Sequence, residues 1–202
     1  MFVFISHLTV PDADHDDLER HFRERSGLVD DFPGATLRRD EREMLATAVS
    51  AANDCFFCMD SHGAFATALL ERSGRTERVR LVDVVKQGSS EGFDPKMQAL
   101  LHIVRVVRAD ALRLTAGDVA AAKDAGASDA DVQLAVLIAA AFSMYNRMVD
   151  GFRAVTPPSA AAYRERAEQI AESGYSGPAP APEPPRALEA AQAAEPAPAA
   201  AR

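Results

Sequence analysis

From Leu37 to about Phe152 the apolar residues recur three and four positions apart, and the breaks between runs read as helix caps. That one period leaves no room for a sheet in this stretch and points to an all-α fold, a bundle of helices. Met44, Leu45, Ala48, Val49 and Ala52 mark the apolar face of a first helix over residues 37–52. A second helix is expected over 55–72, parted from the first at Asn53-Asp54 and stopped by Gly74. Thr76 caps a short helix carrying Val79, Val82 and Val85. Asp94-Pro95 opens the next, because proline in a first turn lacks an N–H that had no partner there anyway. Thr115 opens another helix, ending at Gly126. Ser128 and Asp131 then read as a capping box ahead of the most apolar helix, 129–152. Pro157-Pro158 closes the unit, and a polar, alanine-rich helix is expected over 159–172.

The two ends read differently. Residues 2–10 are rich in Phe, Val, Ile and Thr and read as a strand, followed by an acidic helix start and a stop at Phe32-Pro33-Gly34. From Ser173 onward Pro, Ala and Glu dominate and bulky apolar residues nearly vanish. Nothing there offsets the entropy of ordering, so a disordered tail is expected. The chain thus divides into an extension over 1–35, a helical domain over 36–172 and a tail over 173–202.

A chain of 202 residues with 48% hydrophobic side chains can bury one core, and the absence of Trp suits packing through Leu, Val and Ala. A net charge of -8 argues against nucleic acid or an anionic membrane as partner. The longest apolar run, within 132–142, falls short of the roughly 20 residues of a membrane span. The opening MFVFISHL has no basic segment before it and does not read as a secretory signal. The expected setting is cytoplasmic.

The chemistry is concentrated between Glu43 and His62. Cys55 and Cys58 are the only cysteines in the chain, and their Cys-x-x-Cys spacing fits a reducing-compartment thiol site better than a disulfide scaffold. If Asp54 caps the second helix, Cys55, Cys58 and His62 lie within roughly 60° of one another on one face. Two thiols a turn apart can form a disulfide, and an imidazole one turn on can move a proton. A helix N-terminus stabilises the thiolate of Cys55, whereas His62 at i+4 favours Cys58. The two aids point at different sulfurs; the reading adopted is Cys58 as attacking thiol with His62 as its direct base. Glu43, Thr47 and Ser50 form a polar stripe that either faces the thiol helix, bringing a carboxylate to His62 or Cys55, or faces water. Zinc would need four ligands, and His7, His15, His21 and His102 supply no second paired motif. His102 reads as a core-edge histidine. Tyr145, Asn146, Arg147 and Asp150 interrupt the most apolar helix, either as a polar cluster facing a substrate or subunit or as an Arg147–Asp network joining helices or subunits.

The spacing Glu-x11-Cys-x-x-Cys-x3-His, with the words REREMLATAVSAANDCFFCMDSHGA and AAFSMYNRMVDG, resembles the alkylhydroperoxidase D-like group of the carboxymuconolactone decarboxylase family over residues 37–155. The resemblance implies an all-helical fold, a homo-oligomer, and a disulfide-cycling peroxidase or reductase site at Glu43, Cys55, Cys58 and His62. It also implies a hydroperoxide substrate and a dithiol reductant, either a lipoyl group or a thioredoxin-type protein. No metal, flavin or nucleotide cofactor is expected, since no Gly-rich phosphate loop is present. The segment HFRERSGLVDDFPG is similar to the first strand and helix of the antibiotic biosynthesis monooxygenase group, whose later strands do not follow. Two rival readings remain: a lactone-decarboxylase-like reaction using His62 and Glu43 as acid and base, and a non-enzymatic redox sensor whose disulfide alters assembly.

Overall fold

Thr36 and Leu37 enter the structure extended, because Asp131 takes their backbone N–H groups at 2.7 and 3.0 Å. Helix α1, Arg39–Ala52, therefore starts two residues later than its apolar pattern suggests. The structure, a computed structural model, describes residues 32–175 apart from 155 and 158. The expected strand over 2–10, the helix after it, and all of the tail beyond Tyr175 lie outside these residues.

Every residue of α1 from Asp40 to Ser50 is buried. Its polar side chains are accordingly paired: Asp40 accepts from Arg75 Nη2 at 2.8 Å, and Arg42 Nε donates to the Leu37 carbonyl at 3.0 Å. Helix α2, Phe56–Arg72, follows after a tight reversal and ends at Gly74, whose φ of 72° suits a residue without Cβ. The short helix expected from Thr76 begins as a 3₁₀ turn, Thr76–Arg78, and becomes α3, Arg80–Lys86. Helix α4, Pro95–Asp110, is capped as expected by Asp94, whose side chain accepts from the Met97 amide at 3.0 Å. A 3₁₀ turn over Ala111–Arg113 leads to α5, Ala116–Asp124. Helix α6, Asp129–Gly151, opens on the expected Ser128–Asp131 capping box, and α7 spans Ala160–Ser173. Among the described residues there are seven α-helices and no strand, the all-α fold expected from the sequence.

Helix α1 is the central rod. It packs against α2, α3, α4 and α6; α7 covers α2 from the other side, and α5 rests on α4. The shared core includes Leu45, Leu70, Leu101, Ile103, Leu134 and Ile138, each at most 1% exposed, and burying such a side chain stabilises a fold by about 1.5–3 kcal/mol. Helix α6, with 23 residues, is long and apolar enough by composition to cross a membrane. It is nonetheless a core helix of this bundle: half of its apolar window is buried, and its buried polar residues Asp131 and Asn146 are hydrogen-bonded within the fold.

Candidate active site

The thiols sit at the reversal between α1 and α2. Asp54 takes the left-handed conformation, φ 56°, and ends α1. The Asp54 amide donates to Ala51 O and the Cys55 amide to Ser50 O, both at 3.1 Å, the paired bonds of a Schellman motif. Asp54 therefore closes α1 and does not cap α2. The N-cap of α2 is Cys55 itself, with φ -85° and ψ 88°. This corrects the expected helix start by one residue, because the stop signal of one helix outcompetes the start signal of the next. The consequence is chemical: Cys55 sits at the open end of α2 and Cys58 in its first turn, both reduced and at most 1% exposed, packed against Val149 of α6.

The two sulfurs have unlike surroundings. The Cys58 thiol donates to the Cys55 sulfur and holds the Cys55 thiol below its ordinary range; burial opposes this, and the Cys58 amide at the helix start reinforces it. That same bond keeps the proton on Cys58, whose thiol burial pushes up still further. Asn146 of α6 hydrogen-bonds Cys58, and Asp150, one turn on, disfavours negative charge on both sulfurs. Asn146 is fixed in turn: its Nδ2 donates to Ser50 Oγ at 3.1 Å, and its Oδ1 accepts from Asn53 Nδ2 at 2.9 Å. Arg108 Nε of α4 donates to Asn53 Oδ1 at 2.6 Å. The polar interruption of α6 is thus a helix-joining network that also reaches a thiol, built on Asn146. Arg147 is exposed and bonds the Ser143 carbonyl of its own helix at 2.6 Å, so among the described residues no Arg147–Asp pair joins one helix to another.

Glu43 and His62 do meet. The stripe of Glu43, Thr47 and Ser50 faces inward, each residue at most 1% exposed. His62 Nδ1 lies 2.7 Å from Glu43 Oε2. An imidazole whose Nδ1–H binds a carboxylate keeps its lone pair on Nε2. Here Nε2 is buried without a hydrogen-bond partner among the described residues, while the ring is clasped edge-on by Phe142 and Phe65, with centroids at 4.5 and 5.3 Å. His62 therefore does not hydrogen-bond Cys58, as a direct base for that thiol would. Glu43 draws the ring to itself and leaves the thiols to each other.

The sequence reading missed a further member. Tyr175, inside the segment expected to be disordered tail, is 2% exposed. Its hydroxyl donates to Glu43 Oε1 at 2.9 Å and Oε2 at 3.1 Å and lies 3.2 Å from His62 Nδ1. The one available signal was a lone aromatic in a run of Ser and Gly. His102, expected at the core edge, is instead on the surface, with Nε2 2.9 Å from Asp118 Oδ1. Among the described residues no group of three His, Cys, Asp or Glu side chains is arranged to hold a metal ion.

The fold has known counterparts. The model of the carboxymuconolactone decarboxylase family matches residues 20–106, which hold Glu43, Cys55, Cys58 and His62. An alkylhydroperoxidase AhpD core, an uncharacterized peroxidase-related protein from Ralstonia eutropha JMP134, superposes with a TM-score of 0.62 at 24% identity, covering 76% of this chain and 75% of that one. An uncharacterized peroxidase-related protein from Silicibacter sp. TM1040 gives 0.58 at 19% identity, over 76% and 74%. No curated protein matches significantly. The chain is thus similar to the carboxymuconolactone decarboxylase family over residues 20–106 and shares the all-helical fold of the alkylhydroperoxidase-like structures.

Proposed function

We propose that the protein is a thiol-dependent peroxidase that reduces hydroperoxides through Cys55 and Cys58. The observation that carries this reading is the pair of reduced cysteines packed together at the start of α2, where Cys58 holds the Cys55 thiol below its ordinary range. The Cys55 thiolate attacks the terminal oxygen of a hydroperoxide. The O–O bond breaks, Cys55 becomes a sulfenic acid, and the remaining oxygen leaves and takes up a proton as the alcohol. Cys58 then gives up its own proton and attacks the sulfenic sulfur; hydroxide leaves with that proton as water, and a disulfide remains. His62 Nε2, an open base one helical turn beyond Cys58, carries the proton in that second step, with Glu43 holding the imidazole in the needed tautomer. A dithiol reductant, lipoyl or thioredoxin-type, returns the two electrons. A homo-oligomer belongs to the same reading: Leu137 and Met144, two turns apart on α6 and 39% and 47% exposed, offer an apolar seam for a second copy.

The assignment reverses the attacking sulfur favoured by the sequence, and single-cysteine variants test it. With hydrogen peroxide, Cys58→Ser should stop at one added oxygen on Cys55 by mass. Cys55→Ser should leave Cys58 reduced, and the unaltered protein should lose two hydrogens. Oxygen gained on Cys58 but not on Cys55 would overturn the order.

A second reading rests on a separate observation. Glu43, His62 and Tyr175 form a complete acid–base cluster with no hydrogen bond from His62 to either thiol. A decarboxylase-like proton transfer would need only these three. Turnover of a lactone acid that survives in the double Cys55→Ser/Cys58→Ser variant would select it.

A further inference from the structure

A run of hydrogen-bonded side chains leads from α4 to the thiol pair, and its first member can act in only one sense. Arg108 of α4, half-buried, donates from Nε to Asn53 Oδ1 at 2.6 Å. A guanidinium has donors and no acceptor, so the Asn53 amide cannot turn over without setting its N–H groups against a cation. Its Nδ2 is thereby committed to donate, and Asn146 Oδ1 accepts from it at 2.9 Å. That fixes the second amide in turn, with Asn146 Nδ2 donating to Ser50 Oγ at 3.1 Å. The serine does not choose this sense, because a hydroxyl can meet either end of an amide. The cation at the far end settles the direction of the whole run.

The run ends at the thiols, by backbone as well as by side chain. Asn53 closes α1 two residues before Cys55, and the Ser50 carbonyl accepts from the Cys55 amide at 3.1 Å. Val149, three residues after Asn146 and so on the same face of α6, packs against both cysteines. Asn146 itself is buried, so no solvent compensates an amide turned the wrong way.

The direction matters to Cys58. Its hydrogen bond with Asn146 favours a charged sulfur, against burial and against the Asp150 carboxylate one turn further along α6. The bond has that sign only while Nδ2, with two hydrogens to give, faces Ser50 and the sulfur. A carbonyl oxygen in the same place would repel a thiolate.

We infer that Arg108 is a positioning residue for the thiol chemistry: through Asn53 it turns Asn146 so that an N–H, and not a carbonyl, meets Cys58 when that sulfur gives up its proton. The inference rests on the peroxidase reading above and adds what equips Cys58 for the second step. There the Cys58 thiolate attacks the sulfenic sulfur of Cys55, the S–O bond breaks, and hydroxide leaves with the Cys58 proton as water. The Asn146 N–H holds the charge on Cys58 until the S–S bond forms. Arg108 acts on the reaction only through the two amides.

Three variants of the full chain separate direction from packing. Asn53→Asp keeps an acceptor for Arg108 but has no hydrogen to give, so Asn146 must turn its Oδ1 toward Ser50 and Cys58. Arg108→Gln can accept as well as donate and releases the choice, whereas Arg108→Lys has donors only and should retain it. In the reduced unaltered protein and in Arg108→Lys, the Asn146 side-chain amide protons should give NMR cross-peaks to the β-protons of Ser50 and Cys58. These should vanish in Asn53→Asp. After hydrogen peroxide, conversion of the Cys55 sulfenic acid to the disulfide, followed by mass, should slow about tenfold in Asn53→Asp and Arg108→Gln, the size of one hydrogen bond to a charged group, and by less than about twofold in Arg108→Lys. Diamide, an oxidant without an O–O bond, poses the same step. Cys55 adds to its N=N bond, Cys58 attacks that sulfur and breaks the S–N bond, and the two thiol protons end on the nitrogens of the hydrazine. Cross-peaks that persist in Asn53→Asp, or an Arg108→Lys protein slowed as much as Arg108→Gln, would overturn the inference. Cysteines inert to peroxide but oxidised by diamide would defeat the peroxidase reading alone, and the same variants compared under diamide would still decide the role of Arg108.

Discussion

Tyr175 closes the acid–base cluster with a single hydroxyl that touches both oxygens of Glu43. It acts through Glu43 and His62, and its role is one of positioning. Removing the hydroxyl in Tyr175→Phe takes away hydrogen bonds to a buried carboxylate, worth about 1.5–3 kcal/mol, and should lower the unfolding midpoint accordingly. A purely structural tyrosine would do only that. If it also holds the imidazole, ¹⁵N spectra should show His62 Nε2 as the unprotonated nitrogen in the unaltered protein and a mixture of tautomers in the variant. An unchanged tautomer would limit Tyr175 to a packing role. The meeting of Glu43 with His62 was half legible in the sequence: the period put Glu43, Thr47 and Ser50 on one stripe, but not whether that stripe faced the thiol helix or water. Tyr175 was not, since no periodic segment carries it; its place is set by the turn after α7, where Gly174 takes φ 72°. Nor was the proposed order of the sulfurs, which depends on which of two neighbouring thiols donates to the other.

At the scale of elements, the reversal between α1 and α2 decides where the thiols stand. Asp54 resembles an N-cap in the sequence, because Asp, Asn and Ser precede helices more often than they end them. In the fold it occupies the left-handed position of a Schellman ending, which a side chain other than glycine adopts at a cost of roughly 1 kcal/mol. The two roles predict opposite outcomes. As an N-cap, Asp54→Gly would be neutral or destabilising. As the terminator of α1 it should raise stability by about 0.5–1 kcal/mol in urea unfolding, with disulfide formation unimpaired. Asp54→Val, which a left-handed backbone tolerates poorly, should lose more than that and disturb the thiol pair. The capping boxes at Thr115 and Ser128 were legible because no competing signal overlaps them. At Asn53-Asp54 a stop and a start overlap within two residues, and only the hydrogen bonds to Ser50 and Ala51 show which prevails.

At the scale of the whole molecule, Asp131 ties together parts of the chain some 95 residues apart. One carboxylate, fully buried, accepts from the amides of Thr36 and Leu37, from the Thr36 hydroxyl at 2.7 Å and from the Ser128 amide at 3.0 Å. Lys96 Nζ of α4 lies 2.9 Å away. Burial alone would raise the carboxyl, but Lys96 and these donors outweigh it and hold it well below the usual carboxylate range. A carboxyl depressed in the folded state contributes stability that is present above its unfolded value, near 3.9, and is lost as the pH falls through that value toward the folded one. Asp131→Asn keeps the shape but not the charge, and leaves the Lys96 ammonium without its counter-ion. At neutral pH the variant should unfold about 2–4 kcal/mol more easily than the unaltered protein, as expected when one partner of a buried, hydrogen-bonded ion pair is removed. Below pH 4 the unaltered protein protonates this same carboxyl as it unfolds, so the gap between the two should narrow steadily toward pH 2. Urea midpoints measured for both proteins from pH 7 downward check the sign. A gap that stays constant across that range would mean that Asp131 acts by shape alone and that its charge does not hold the chain's first described residues to α4 and α6.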